Sequence, residues 1–138
     1  MQTLVRFGVS LEKELLARFD GRMKERGIVN RSEAIRDLIR RDFVEESWKN
    51  DEPVAGAVTL VYDHHRRDLV NHLINLQHDF ADVILSSQHV HLDHHHCLEI
   101  VAVRGKASQV LRLSAQLKAL KGVKHGSLSM SSTGKELR

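Results

Sequence analysis

At 138 residues the chain has room for one ordinary domain or two very small ones, and halves near 50 residues bury so little surface that a divided chain is expected to oligomerise. A single cysteine excludes an intramolecular disulfide, leaving a buried thiol, a reactive thiol or a thiolate ligand. The net charge of +3 and pI near 9.2 fit a nucleic-acid partner without demanding one, and no apolar stretch approaches the roughly 18 residues of a membrane span or forms a signal-peptide pattern, so a cytoplasmic location is expected.

Residues 4 to 10, LVRFGVS, alternate, with Val5, Phe7 and Val9 on one face and Arg6, Gly8 and Ser10 on the other, the period of a half-buried strand. From Leu11 to Arg26 the apolar residues Leu11, Leu15, Leu16, Phe19 and Met23 recur at helical spacing, and Gly27 stands where a C-cap belongs. In NRSEAIRDLIRRDFVEE, Asn30 or Ser32 can cap a second helix whose apolar stripe is Ala34, Ile35, Leu38, Ile39 and Phe43. WKNDEPVAG, with the only proline, has no periodicity and reads as a linker. Beyond it the pattern gives a strand over Val54–Tyr62, a helix over Arg66–Phe80, strands over Val83–His91 and Leu98–Arg104, a helix over Lys106–Lys121 and a strand over Val123–Met130. The fold class is therefore α+β: an N-terminal strand–helix–helix followed by a βαββαβ ferredoxin-like module. The expected domains are an N-terminal one over 1–48, a linker at 49–53, a second module over 54–132 and a flexible polar tail at 133–138.

All 10 histidines lie beyond residue 60, and five of them share SSQHVHLDHHHCLEI with the only cysteine. On a strand His89 and His91 project from one face, and if residues 92–96 turn the chain into an antiparallel neighbour, Cys97 returns near the same edge. A fourth ligand is commonly needed, and His78, near the end of the preceding helix, is a candidate that another subunit can donate. A planar set of three imidazoles and one thiolate favours Ni(II) or Cu(II) over Zn(II), with copper the tighter binder by the usual affinity order. An isolated HxH pair is more often exposed strand histidine, by about two to one, but a cysteine further on amid more histidines reverses those odds. His94, His95 and His96 decorate the turn and are as readily solvated loop as a weak secondary site.

A lone strand has open edges, so two chains pairing their N-terminal strands antiparallel would make a two-stranded ribbon of the kind that fits the major groove. Arg6 and Ser10, with Gly8 between them, would then reach base edges, and backbone N–H groups around Asn30, Arg31 and Ser32 would meet a phosphate. The competing reading is an ordinary small dimer whose outward Arg6 is merely solvated.

The segment NRSEAIRDLIR, after a short strand and an amphipathic helix, resembles ribbon-helix-helix repressors. Joined to a βαββαβ module carrying QH, HVH and HxxxxxC, the chain from about Val5 to Met130 resembles the nickel-responsive regulator family, NikR. The resemblance implies an ACT-like regulatory module and a homotetramer, a dimer of dimers. It implies one Ni(II) per subunit on His89, His91 and Cys97 with His78 donated across the tetramer interface. It further implies a double-stranded operator of palindromic half-sites, a secondary cation such as K+ on Glu33 and Asp37, and non-specific contact of Arg66 and Arg67 with the DNA backbone. Glu33 and Asp37 read equally well as exposed helix charges capping or pairing along one face. The departures are Gly8, which removes one base-reading side chain, a few more residues ahead of the strand, and a turn richer in histidine than the motif requires.

On this reading the protein is not an enzyme but a nickel-dependent repressor of nickel-uptake genes. A zinc hydrolase lacks a well-placed general base, Glu99 lying two residues past Cys97 on the same strand face. A His-rich storage or delivery protein would not need the Arg6 strand, and a ribbon-helix-helix repressor sensing another metal or a small molecule would differ in the metal content of the purified protein.

Overall fold

The computed structural model describes residues 3–138, which fall into two compact units, one reaching to Arg40 and the other running from Arg41 to Arg138. Met1 and Gln2, counted in the first expected domain, lie outside the described residues. No described helix is long and apolar enough to cross a membrane.

In the first unit helix α1 spans Lys13–Glu25 and helix α2 begins at Arg31, continuing to Lys49. Gly27 ends α1 as its position predicts: at φ +69° it lets the Ile28 N–H reach Met23 O at 2.9 Å and its own N–H reach Lys24 O at 3.2 Å, the paired bonds of a Schellman cap. Asn30 opens α2, its Oδ1 accepting the Glu33 N–H at 2.8 Å. Arg31 donates two bonds to Asp20, at 3.0 and 2.8 Å, tying the two helices together at the surface. Met23 and Ala34 are the buried apolar residues of this unit.

The expected N-terminal strand carries no ladder within the chain: residues 3–12 have no regular secondary structure. A strand is defined by its neighbour, and the sequence supplies none. Its apolar face is open, with Val5 83%, Phe7 71% and Val9 57% exposed.

The second unit is built on a four-stranded antiparallel sheet of order β2-β3-β1-β4, with β1 at Pro53–Asp63, β2 at Ile84–His91, β3 at His96–Lys106 and β4 at Val123–Met130. Helices α3, Arg67–Asp79, and α4, Ala107–Ala119, complete the βαββαβ order. The core is a layer of β1 and β3 side chains (Val58, Leu60, Tyr62, Val101, Val103) against Leu69 and Leu73 of α3 and Val110, Leu113 and Leu117 of α4. Burying each such aliphatic side chain contributes about 1.5–3 kcal/mol, which is what lets a sheet with only two covering helices hold.

Several element ends differ from the periodicity. β3 starts two residues early, at His96, and extends to Lys106, because β1 pairs with it along its whole length, from Pro53↔Lys106 to Asp63↔His96. The expected linker is shorter: α2 runs through Trp48, which packs on the core with its indole N–H donating to Ser131 O at 2.9 Å, so only Asn50–Glu52 connect α2 to β1. Asp51, at φ +54°, points its carboxylate at the N-terminus of α4 and accepts the Ser108 N–H at 2.7 Å, so the connection itself caps a helix. The tail expected to be frayed carries a 3-10 turn, Lys135–Leu137, held by a Ser132–Glu136 hydrogen bond.

Two outcomes follow from this packing. A Cβ on Gly56 of β1 would lie 2.5 Å from Ser129 O of β4, so Gly56→Ala forces the two strands apart and is expected to lower stability by about 2 kcal/mol in urea denaturation. The Ser108 bond holds the Asp51 carboxyl below the ordinary carboxylate range. A depressed pKa stabilises above the unfolded value, about 3.9, and that contribution is lost as pH falls through the folded value. Asp51→Asn should therefore lower the urea midpoint at neutral pH, with the gap to the parent closing in more acid solution.

Candidate metal centre

The β2–β3 hairpin sets the geometry. Its register places His91 opposite Cys97 and His89 opposite Glu99, while Tyr62 of β1 lies opposite Cys97 on the other side. Directly opposed residues of an antiparallel pair project to the same face, so the sequence spacing of His89, His91 and Cys97 becomes a shared strand edge. The turn is fixed by Asp93, whose Oδ1 accepts the N–H groups of His95 and His96, each at 2.8 Å, while its Oδ2 lies 2.9 Å from His96 Nδ1. Those bonds hold the Asp93 carboxyl well below its usual range.

Beneath this edge sits a charge that the apolar alternation of β3 does not lead one to expect. Glu99 is 1% exposed, on the same face as Cys97, Val101 and Val103. Its carboxylate accepts the Tyr62 hydroxyl at 3.1 Å and the Gln77 amide at 3.0 Å, and His89 Nε2 stands 3.0 Å away; the same Tyr62 hydroxyl lies 3.3 Å from His89 Nδ1. A buried carboxylate is tolerable only when its lone pairs are taken, and here β1, α3 and β2 each supply a partner. With its oxygens engaged by these groups, Glu99 has little capacity left to accept a further proton donor.

Of the four expected ligands, three are brought to one edge and one is not. His89 has both ring nitrogens near Tyr62 and Glu99, His91 is exposed, and Cys97 is buried beneath them. His78, in the last turn of α3, is exposed, while its neighbour Gln77 reaches inward to Glu99. Burial pushes the Cys97 thiol pKa up, Tyr62 pulls it down in part, and the Glu99 charge raises it further. A thiol so held is protonated at neutral pH, and a cation is the partner that would ionise it. Two imidazoles and a thiol beside a buried carboxylate fit a borderline transition metal and not a hard, oxygen-loving ion. His64 flanks the edge, its ring 5.0 Å from that of His91, with its buried Nδ1 lacking a hydrogen-bond partner; desolvation, His65 and His91 push its pKa down.

The closest grouping of metal-ligating side chains among the described residues lies elsewhere: Asp63, His65 and His95, whose ligand atoms fall within 4.8 Å of one another. Sequence reasoning named His95 only among the turn histidines open to a weak secondary site and passed over Asp63 and His65, and it gave Tyr62 and Gln77 no part in a buried network. A charged residue within the alternating C-x-E-x-V-x-V of β3 was the available signal for the buried network; nothing in the spacing of Asp63 and His95 signals their approach.

The residues expected at DNA are partly engaged within the chain. Arg6, Gly8 and Ser10 lie on the open extended segment, and a Cβ on Gly8 would meet nothing within 4 Å. Arg31 holds Asp20, and Asn30 and Ser32 stand at the α2 N-terminus. Arg66 precedes α3, its guanidinium 3.5 Å from Asp68, and Arg67 is exposed in the first turn. Glu33, one of the expected secondary-cation carboxylates, is held by Arg36; Asp37 lies one turn further along α2. For the buried network, Glu99→Leu strands the Tyr62 and Gln77 donors and should cost about 2–4 kcal/mol in urea denaturation, whereas Glu99→Gln, which still accepts, should cost less.

Two family profiles match the chain. One, described as the NikR C-terminal nickel-binding domain, covers residues 55–131, and the other, the copG family of ribbon-helix-helix proteins, covers residues 5–43. Relatives named for nickel-responsive regulation include one from Syntrophus aciditrophicus (strain SB), 58% identical over 97% of this chain and 98% of its own. Another from Geobacter sulfurreducens is 54% identical over 99% of both chains, and one from Pyrococcus furiosus is 51% identical over 97% and 98%. An uncharacterized protein of Thermotoga maritima shares the fold, with a TM-score of 0.52 over 57% of this chain and 98% of its own at 18% identity. With both halves of the chain matched in order and relatives aligned end to end at over half identity, the protein belongs to the NikR family of nickel-responsive ribbon-helix-helix regulators.

Proposed function

We propose that the protein is a cytoplasmic repressor that binds its operator when each chain holds one Ni(II), and that its targets are genes for nickel uptake. The ion would be held by His89, His91 and Cys97 of one chain and by His78 of a second copy. Nickel so bound supplies bonds that join two chains and ionise the Cys97 thiol. The observation that carries the reading is the β2–β3 register: it sets His91 against Cys97 and His89 over the buried Glu99, while His78 faces outward from the helix whose Gln77 reaches the same carboxylate. Occupancy thus bears on α3 through two adjacent residues, His78 from outside and Gln77 from within. Glu99 orients His89, and Tyr62 bonds Glu99 while lying beside Cys97.

The proposed division of labour is the chain up to about residue 48 for DNA, with Trp48 itself anchored in the second unit and Asn50–Glu52 as the connection, then 54–132 for metal and assembly and 133–138 as tail. Val5, Phe7 and Val9 form an exposed apolar row that a second copy would cover, and the paired strands would present Arg6 and Ser10 to base edges of the major groove. Backbone N–H groups at Asn30, Arg31 and Ser32 would seat a phosphate, and Arg66 and Arg67 would contact the backbone without reading sequence. Two such dimers joined through the metal-binding modules give a tetramer that spans palindromic half-sites. Glu33 and Asp37 are proposed to take a secondary cation such as K+. Gly8 contributes no side chain, so direct readout rests on fewer groups than in a ribbon with three outward side chains.

Moving a mostly incompetent population to a mostly competent one needs about 5 kcal/mol of preference for the competent state, within reach of a few metal–ligand bonds. In a gel shift with the protein's own upstream DNA, stoichiometric Ni(II) is expected to tighten binding by roughly a hundredfold or more; equal affinity with and without the metal would remove the switch. Cys97→Ser is expected to abolish the thiolate-to-metal charge-transfer absorption of the nickel-loaded protein. A spectrum identical to the parent's would clear Cys97 of the role.

A further inference from the structure

We propose that Gly122, in the turn between α4 and β4, is a positioning residue for DNA binding: its bare Cα is a shelf that holds the Arg66 guanidinium ready for a backbone phosphate. The inference rests on the contact of Arg66 with the DNA backbone proposed above and goes beyond it by naming what sets that side chain in place. The observation that carries it is steric. A Cβ on Gly122 would lie 2.7 Å from Arg66 Nη1 and 3.1 Å from Arg66 Cζ, so the guanidinium occupies the space that any other residue at this position would fill.

The turn makes that surface possible. The Val123 N–H donates to Leu120 O at 3.1 Å across Lys121 and Gly122, and Gly122 stands at φ +102°, the left-handed side that the third residue of such a turn takes most easily as glycine. Glycine therefore meets two demands, the turn and the clearance. Leu69, fully buried, comes within 3.0 Å of the same Cβ position, so the turn cannot settle further toward α3. Arg66 is fixed through its own backbone as well: its N–H donates to Asp63 O at 3.2 Å, and its carbonyl accepts the Val70 N–H at 3.1 Å where α3 opens. Its side chain is 39% exposed, and Nη2 lies 3.5 Å from Asp68 Oδ2. That bond is long and takes a single donor, so most of the guanidinium's N–H groups remain for a phosphate.

An arginine loses much rotamer freedom when a ligand immobilises it, so a guanidinium already confined in the free protein meets a phosphate with less loss. Its planar group also lies flat on a bare Cα as a compact ammonium would not. Arg67, next in the chain, is exposed. The two arginines thus divide into a preset contact and a mobile one.

Operator binding by the nickel-loaded full-length protein, followed by fluorescence anisotropy on its own upstream DNA over a range of salt concentrations, tests this as a double-mutant cycle. Arg66→Ala is expected to weaken binding by roughly tenfold and to flatten the dependence of log affinity on log salt by about one for each chain that touches DNA. Gly122→Ala, which pushes the guanidinium off its place, should weaken binding by about threefold to tenfold in the parent and by less than about twofold when Arg66→Ala is already present. Strain from a side chain at positive φ lowers the urea midpoint in both backgrounds alike, so stability and coupling separate, and the thiolate charge-transfer band reports an intact nickel centre. A second measurement needs no substitution at the turn: NMR relaxation of the arginine Nε–H groups in the unaltered protein should show Arg66 ordered and Arg67 mobile. A Gly122→Ala loss that persists undiminished beside Arg66→Ala, or an Arg66 as mobile as Arg67, would overturn the positioning role. If Arg66→Ala itself leaves affinity and salt dependence at the parent's values, the phosphate contact falls and the shelf with it. The nickel switch is read separately, from the parent with and without metal, so its failure leaves a different record.

Discussion

A carboxylate with almost no access to water organises the second unit. Glu99 would be intolerable in the apolar face of β3 if its oxygens were idle, and the chain meets that demand with Tyr62 from β1, Gln77 from α3 and His89 from β2. Satisfying one buried charge therefore fixes the relative positions of two strands flanking β3 and the helix packed on them. Each of these partners is next to, or is itself, an expected nickel ligand: Tyr62 opposite Cys97, Gln77 beside His78, and His89 directly. The hydrogen bonds that stabilise the sheet edge are thus the same ones that orient His89, one of the expected ligands.

The first unit depends on an opposite kind of constraint, an apolar surface with nothing over it. Its two helices are capped and joined by local means: Gly27 in the left-handed region, Asn30 at the start of α2, and the Arg31–Asp20 pair. These exposed polar contacts shape the helix pair but bury little. Leu4, Val5, Phe7 and Val9 are left in water within a single chain. Such a row is a standing demand for a partner, and an edge able to form a ladder meets it most directly by pairing with its own copy. The two units thus differ in what stabilises them, a satisfied buried network in one case and exposed local contacts beside an uncovered apolar row in the other.

The histidine-rich edge divides into two chemistries by strand alternation. Tyr62 looks toward Cys97 on the covered face of the sheet, and Asp63, one residue on, joins the exposed loop cluster with His65 and His95. His64 lies between them, its ring 5.0 Å from His91 and 4.2 Å from His65. The thiol side is shielded and favours a soft component in the ligand set, and the solvent side offers only imidazole and carboxylate.

Much of this was open to reading in the chain alone, because it follows from local rules. Helical spacing, a glycine after a basic last turn, and Asn30 ahead of Ser-Glu-Ala-Ile each fix an element through interactions within a few residues, and the HVH spacing puts two imidazoles on one face through the two-residue period of a strand. β4 was placed to the residue at Val123–Met130 for the same reason. Pairing across long distances was not legible: that Asp51 caps a helix 57 residues away, that Gln77 and Tyr62 meet at Glu99, and that Asp63 approaches His95. Periodicity records which way a side chain points relative to its own neighbours, whereas sheet register and helix docking decide what it points at, and those are set by burying the whole core at once.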